Sequence, residues 1–522
     1  LDNIKVMFFV GINDGNVPKK SDSRSVLSES DREYLEDKGI VMSASVREKA
    51  FTQRFYLYLI MTKSAEKLYM SYAVKNSEGA ALMPSYIIRS MRKMFSHCLK
   101  LSYKDTAQQN SYVTIPRATN SFDNTEIVAN VDEDIIDSLT GGRLVGSVTS
   151  FENFAECPLR YYLRYGVDLK EREEFTFSPV NFGVVLHAVI REVCDEIKKN
   201  GESYYLISEE KRREMVKRSV AAITDIYQNS ILKDSSRNSF MIKRMEDLAD
   251  RTVWAMGEQL KCGDFVPFVF EHKFNMEVGD GDRKQLMSGT IDRVDICENG
   301  TDVYVRIIDY KTGKKDFNIV KTYYGIDIQL MVYMEAAMKL VAKMRPGKNV
   351  IPAGVFYYNI SDPIVSATTE SAEEIEDKIK GELRLKGMVN SDKDIAEKMD
   401  NTGGTSLNIP VSRKADGGFD SRRSKVMNTE QFNMLGRFVD VRAVDTADRI
   451  AGGDIRRSPY KDGQFSSCDR CPYGAVCGFS VDLPGCNYRK LKKFDDEVLW
   501  NNIKEGVDEN GKKMDTGAEE RD

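Results

Sequence analysis

The sequence predicts an α/β protein with two folded parts joined by a polar linker. Segments with the two-residue alternation of a strand alternate with segments that have the 3.6-residue repeat of a helix. Residues 101–142 interrupt this order with a stretch rich in Asn, Thr and Asp. We therefore expect a smaller domain at 1–100, a linker at 101–142 and a larger domain at 143–495. Residues 496–522 are highly charged, and we expect them to be disordered.

Length, composition and charge narrow the class of protein. The 522 residues contain 41% hydrophobic and 30% charged side chains, without an apolar run that could cross a bilayer or a signal-peptide pattern. We therefore expect a cytoplasmic protein that does not bind membranes. The net charge of −5 does not decide for or against nucleic acid, because binding depends on local patches. The chain starts at Leu1 inside a strand-like segment, so we also expect a preceding N-terminal part.

Two carboxylates and a lysine form the strongest catalytic pattern. Asp292 lies in GTIDRVD, and Asp309 and Lys311 lie in the following segment, VRIIDYKTG. Residues i and i+2 of a strand share a face, so Asp309 and Lys311 point into the same space, and a hairpin can bring Asp292 beside them. Two adjacent carboxylates repel each other unless a cation lies between them, and Mg²⁺ prefers oxygen ligands. The pattern indicates metal-assisted phosphodiester hydrolysis.

Each part of this pattern also has a simpler interpretation. A single D-x-K on a strand is usually an exposed ion pair, and a single histidine on an apolar helix face is usually a core residue. Glu271, in the strand that precedes Asp292, could join the site, but we favour a surface position for it. Several elements in the right order are much harder to obtain by chance.

This arrangement resembles the RecB-like branch of the PD-(D/E)XK nuclease superfamily. The branch has a helical Gln with Tyr four residues later, as in QLMVY here, and an upstream helical His, as in GVVLHAVI. The resemblance implies Mg²⁺ ligands, a catalytic lysine and two residues that orient the active site or the DNA strand. The implied Mg²⁺ ligands are His187, Asp292, Asp309 and the backbone carbonyl of Tyr310. Lys311 would be the catalytic lysine, and Gln329 and Tyr333 would orient the active site or the DNA strand.

Three cysteines near the end of the larger domain indicate a metal site. Cys468, Cys471 and Cys477 form a C-x2-C-x5-C run, which lacks one ligand for a four-coordinate site. Zinc or an iron–sulfur cluster can use such a run. The fourth ligand has two candidates, the distant Cys157 and the nearby Cys486.

The surroundings of Cys157 resemble a family pattern. RecB-like nucleases of the AddB/RexB helicase/nuclease type, and some CRISPR-associated exonucleases, have one Cys before the nuclease core in T-S-(L/F)-x-x-(F/Y)-x-x-C-P and three Cys after it. Here TSFENFAECP matches. The resemblance implies a [4Fe-4S] cluster, with zinc as the less favoured alternative, on Cys157, Cys468, Cys471 and Cys477. Such a cross-link closes a loop of about three hundred residues and can stabilise the fold.

The first hundred residues resemble the second RecA-like domain of superfamily 1 helicases, as found in the AddB/RexB family of helicase/nucleases. The matching segments are VMFFVGINDGNVP and REKAFTQRFYLYLIMTKSAEKLYMSY. Active relatives have T-R-A where this chain has Thr62, Lys63 and Ser64. Lysine lacks the planar fork with which arginine stabilises a transferring phosphoryl group. We therefore expect the first hundred residues to be the C-terminal part of a RecA-like motor domain that no longer hydrolyses ATP.

Three functions follow from these patterns. The first is a Mg²⁺-dependent DNA exonuclease, which the resemblance places in a heterodimer with the A-type helicase/nuclease subunit. That complex would process double-strand breaks for recombinational repair, and this chain would cut the 5′-ended strand. The second is a DNA-binding scaffold that does not cut. The third is a stand-alone CRISPR-type exonuclease, against which the helicase-like first hundred residues argue. The intact Asp292, Asp309, Lys311 and Gln329 set favours the first.

Overall fold

The computed structural model divides the chain into two compact units. The smaller unit comprises Leu1–Thr125 and Gly478–Asn487, and the larger comprises Glu126–Cys477 and Tyr488–Asp522. The division falls within the segment expected to be a linker, most of which lies outside the described residues. The structure describes residues 4–19, 28–40, 45–75, 81–96, 130–132, 135, 145–170, 179–226, 236–278, 285–366, 370–481 and 486–519.

The smaller unit is built around two parallel strands. Strand β1 (Ile4–Phe9) pairs with β2 (Ser64–Met70). A parallel pair needs a crossover connection, which here contains α1 (Glu29–Asp37) and α2 (Val46–Thr62), and α3 (Tyr86–Met94) follows β2. The expected order of strand, helix and strand is therefore present.

In the described part of the larger unit, seven strands form one mixed sheet. The order is β3-β5-β6-β7-β8-β9, and β4 pairs with the opposite edge of β5 along almost its whole length. Their bounds are β3 (Val145–Ser147), β4 (Val266–Val278), β5 (Gln285–Asn299), β6 (Asp302–Lys311), β7 (Asn349–Asn359), β8 (Lys386–Asn390) and β9 (Val426–Met427). A small second sheet has the order β11-β10-β12, with β10 (Tyr460–Asp462), β11 (Phe465–Ser466) and β12 (Arg489–Lys490).

Helices cover both faces of the large sheet. One face packs against α6 (Pro179–Lys199), α7 (Glu209–Ile226) and α8 (Ser236–Lys261), and the other against α10 (Gln329–Met344), α13 (Thr429–Ala451) and α15 (Asp496–Glu519). The remaining helices are α4 (Val148–Glu156), α5 (Pro158–Tyr161), which a π-helical turn at Tyr162–Gly166 continues, α9 (Ile319–Tyr323), α11 (Ala372–Glu382), α12 (Lys393–Met399) and α14 (Gly474–Cys477). No helix of the described residues is both long and apolar enough to span a membrane.

The central hairpin of the sheet, β5 with β6, is buried on both faces. Antiparallel pairing runs from Asn299 opposite Asp302 to Arg293 opposite Ile308. Inside it, the Asp295 carboxylate binds the guanidinium groups of Arg293 and Arg306 at 2.7 and 2.8 Å. Buried charges are tolerated when they are paired in this way. The hairpin that the sequence predicted is therefore a rigid support.

The expectation of disorder does not hold for the first part of the tail, which begins at residue 496. The segment forms α15, and Leu499 and Ile503 are buried against the core. These two residues are four positions apart and therefore share one helical face. A count of charged residues did not detect this short apolar stripe.

Candidate active site

The two predicted carboxylates lie together at one end of the β5–β6 hairpin. Asp292 and Asp309 are 7% and 2% exposed. The ladder of backbone pairs stops at Arg293, and the backbone N–H of Tyr310 donates instead to Asp292 Oδ2 at 2.7 Å. Burial raises the pKa of Asp309 to about 7, and the charge of Asp292 acts in the same direction. Two buried acidic groups in this position favour a bound cation.

The predicted lysine and glutamine continue the site along one chain of contacts. Lys311 Nζ lies 2.5 Å from Asp309 Oδ2 and donates to Gln329 Oε1 at 3.0 Å. Gln329 Nε2 donates to the hydroxyl of Tyr333 at 2.9 Å, one turn later on α10. The structure therefore brings Asp309, Lys311, Gln329 and Tyr333 together in one connected group.

The predicted histidine approaches the carboxylates from helix α6. His187 Nδ1 lies 3.5 Å from Asp292 Oδ2 and 3.6 Å from Glu271 Oε1. One ligand atom from each of the three residues lies within 4.8 Å of the other two. Burial lowers the pKa of His187, but hydrogen bonds to Asp292 and Glu271 raise it to about 10.

The expectation that Glu271 is a surface residue is wrong. Its side chain is 21% exposed and faces His187. Residues 270 and 272 pair with Arg293 and Ile291, so Glu271 stands opposite Asp292 on the neighbouring strand. Its backbone has a φ of 48°, which is uncommon for a residue with a side chain and is found at functional sites. Antiparallel pairing of the two predicted strands across the GDGDRK segment would have placed this residue opposite Asp292 from the sequence alone.

The predicted cysteines lie near the C-terminal end of α4. Cys157 follows α4, and the C-terminal run packs on this helix through Ser467, whose hydroxyl donates to the Glu156 carbonyl at 3.4 Å. Burial raises the pKa of Cys468 to about 11, and the charges of the other three thiols act in the same direction. These are Cys157, Cys471 and Cys477.

A family model identifies the larger unit. Residues 146–478 match the model of the PD-(D/E)XK nuclease superfamily, and the chain belongs to that superfamily. The prediction of an α/β fold with a PD-(D/E)XK nuclease domain is thereby confirmed.

Curated relatives narrow the comparison further. The chain is 31% identical, over its whole length, to the B subunit of the ATP-dependent helicase/deoxyribonuclease of Lachnoclostridium phytofermentans and covers 49% of that protein. It is 30% identical to the protein of the same name from Clostridium acetobutylicum, over 97% of the chain and 49% of the relative. The chain spans about half the length of the curated relatives it matches.

Proposed function

We propose that the larger unit is a Mg²⁺-dependent DNA exonuclease that acts within a helicase/nuclease complex. The observation that carries this proposal is the meeting of Asp292, Asp309 and Lys311 at the end of one buried hairpin. The relatives are named as subunits of a helicase/deoxyribonuclease, which supports DNA as the substrate and another subunit of the same complex as the partner. By the family resemblance, the partner is the A-type helicase/nuclease subunit, the cut strand is 5′-ended and the process is double-strand break repair.

The chemistry of the donor set fits a hard divalent cation. Carboxylate oxygens of Asp292, Asp309 and Glu271, a nitrogen of His187 and the carbonyl of Tyr310 would hold Mg²⁺. A bound ion would polarise the phosphate and lower the pKa of a water ligand. Our assignment adds Glu271 to the ligands that the family pattern implies.

The protein's own contribution centres on Lys311. Asp309 and Gln329 hold its ammonium group in place, and its side chain is 27% exposed, so the group is accessible to a substrate. A positive charge fixed before the reaction stabilises the negative charge that develops on phosphate oxygens. Gln329 and Tyr333 fix the position of Lys311 from the helix side.

We also propose that Cys157, Cys468, Cys471 and Cys477 bind a [4Fe-4S] cluster. Cys157 directly follows α4, and the segment with the other three cysteines contacts the same helix end through Ser467, which supports a shared centre; zinc is the alternative. None of these cysteines belongs to the group of His187, Glu271 and Asp292, whose ligand atoms lie within 4.8 Å of one another. We therefore assign the cluster a structural role.

Cleavage of linear double-stranded DNA by the anaerobically purified chain tests the nuclease proposal. We expect cutting with Mg²⁺, none with a chelator, and a loss of roughly a thousandfold or more in Asp309→Ala. The matched control is Asp316→Ala, because Asp316 is an exposed carboxylate seven residues later that pairs with Lys425. Normal cutting by Asp309→Ala would refute the site, and a wild-type chain that binds DNA without cutting would favour the scaffold function.

A further inference from the structure

Helix α10, which carries Gln329 and Tyr333, has no cap from its own sequence. Its N-cap residue is Ile328, whose side chain cannot accept a hydrogen bond. The first N–H groups of a helix have no partner within the helix and need acceptors from elsewhere. Here the acceptor comes from a residue 176 positions earlier.

Glu152 of α4 supplies this acceptor. Its Oε1 accepts the N–H of Ile328 at 2.9 Å and the N–H of Gln329 at 3.0 Å. A carboxylate at this position is also favoured by the positive end of the helix dipole. Burial raises the pKa of Glu152 to about 7, and the charge of Lys315 opposes this rise. The Glu152 carboxylate is therefore buried where it contacts the start of α10.

The contact with Gln329 extends into the active site. Gln329 donates its backbone N–H to Glu152, and its side-chain oxygen accepts a hydrogen bond from Lys311. Lys311 in turn pairs with Asp309. A continuous series of hydrogen bonds and ion contacts therefore joins Glu152 to the carboxylate hairpin.

The segment just before α10 is fixed independently. Asp327 accepts the hydroxyl of Tyr357 at 2.6 Å and pairs with Lys315 at 3.0 Å. The hydroxyl of Thr322 donates to the Asp327 carbonyl at 2.8 Å. Since these contacts hold residue 327, loss of Glu152 would free mainly the first turn of α10 rather than the whole segment.

The C-terminal end of α4 is held by hydrogen bonds from residues late in the chain. Arg489 donates to the carbonyl of Ala155, and Ser467 to the carbonyl of Glu156, just before Cys157. The helix that presents Glu152 to the active site is therefore the helix that leads to the cysteine group. Glu152 and Cys157 are five positions apart in the chain.

We propose that Glu152 is a positioning residue of the nuclease site, which sets the orientation of Gln329, and through it of Lys311, from the helix that ends at Cys157. This inference rests on the proposed nuclease function. Glu152 does not touch the reacting groups, so its effect is on the rate of the bound complex rather than on DNA or metal binding.

The first test compares variants at position 152 in the same cleavage assay. We expect Glu152→Ala to lower kcat roughly ten- to hundredfold, as supporting residues around metal sites do, with little change in KM. Glu152→Gln keeps an acceptor oxygen of the same reach and should recover most of the rate. Glu152→Asp keeps the charge but is one methylene shorter, and should remain slow. Recovery by Asp but not by Gln would show that charge alone matters and would overturn the proposal.

The matched control is Glu156→Ala. Glu156 lies one turn later on α4 and lines the same polar cavity of about 540 Å³, but it pairs with Arg160 and not with α10. Its removal should leave kcat within about twofold of the wild-type value, since exposed or partly exposed ion pairs contribute little. An equal loss of kcat in both variants would mean that any change on α4 is harmful, and would contradict a specific role for Glu152.

A double-mutant cycle separates positioning from simple stabilisation. If Glu152 acts through Gln329, Glu152→Ala combined with Gln329→Ala should be no slower than Gln329→Ala alone. Multiplicative losses would overturn the proposal. If Glu152→Ala does not fold, Glu152→Gln and Glu152→Asp in the same cycle give the answer. A wild-type chain that does not cut would refute the nuclease function and this inference with it, whereas normal kcat in Glu152→Ala, with Asp309→Ala inactive, would refute the inference alone.

Discussion

The carboxylate site and the cysteine group differ in how far apart their residues lie in the sequence. Asp292, Asp309 and Lys311 come from one hairpin of about twenty residues, whereas Cys157 and Cys468 are about three hundred residues apart. Closing a short hairpin costs little entropy, and the buried Asp295 ion pairs hold it. Closing the long loop costs more, and only the folded domain or a bound cluster can hold it. The hairpin should therefore keep its geometry when the cysteine group is damaged.

Among the variants that test this comparison of the two sites, Lys311→Ala should lower kcat the most. It removes the fixed positive charge but leaves the carboxylates and His187, so kcat should fall roughly a hundred- to a thousandfold while metal still binds. Metal binding can be measured by calorimetry with Mn²⁺ or Mg²⁺. The matched control is Lys314→Ala, three residues later. A near-normal rate for Lys311→Ala would remove the lysine from the chemistry.

Glu271→Gln should weaken metal binding with a smaller effect on the rate. Glu271 stands opposite Asp292 and faces His187, so the loss of one anionic oxygen should raise the Mg²⁺ concentration needed for half-maximal cleavage roughly ten- to hundredfold. Saturating Mg²⁺ should restore most of the rate. Glu277→Gln, at an exposed position of the same strand, is the control and should keep the wild-type Mg²⁺ dependence. Unchanged Mg²⁺ dependence in Glu271→Gln would show that Glu271 does not bind the metal.

The same contrast explains what the sequence could predict. The relation of Asp309 to Lys311, and of Gln329 to Tyr333, follows from the repeat of one strand and one helix. The position of Glu271 opposite Asp292 depends on the register of β4 against β5, which no repeat within a single strand reveals. Glu152 had no local pattern at all, because its partners lie 176 and 177 positions later. Composition likewise hid the buried Leu499 in a charged tail.

Cys157→Ala should have the smallest effect on the rate and the largest on stability. If the cluster closes the loop from Cys157 to Cys468, its loss should remove the brown absorbance and lower the free energy of unfolding by up to about 5 kcal/mol, the closure entropy of a loop of this length. The hairpin should remain intact, so metal affinity should stay near the wild-type value. The rate should fall only several-fold, through the looser position of α4 and Glu152. DNA binding should weaken as the C-terminal segment leaves α4.

Cys486→Ala decides whether this interpretation of the cysteines is right. Cys486 is buried but lies outside the four-cysteine pattern, in the smaller unit, so its variant should keep iron, sulfide and the visible spectrum. Iron retained in Cys157→Ala but lost in Cys486→Ala would exchange the two residues as ligands. Stoichiometric zinc without iron, in protein purified without oxygen, would replace the cluster by a zinc site. A loss of metal affinity at the carboxylates in Cys157→Ala would break the comparison itself, because it would show that the hairpin depends on the distant cross-link.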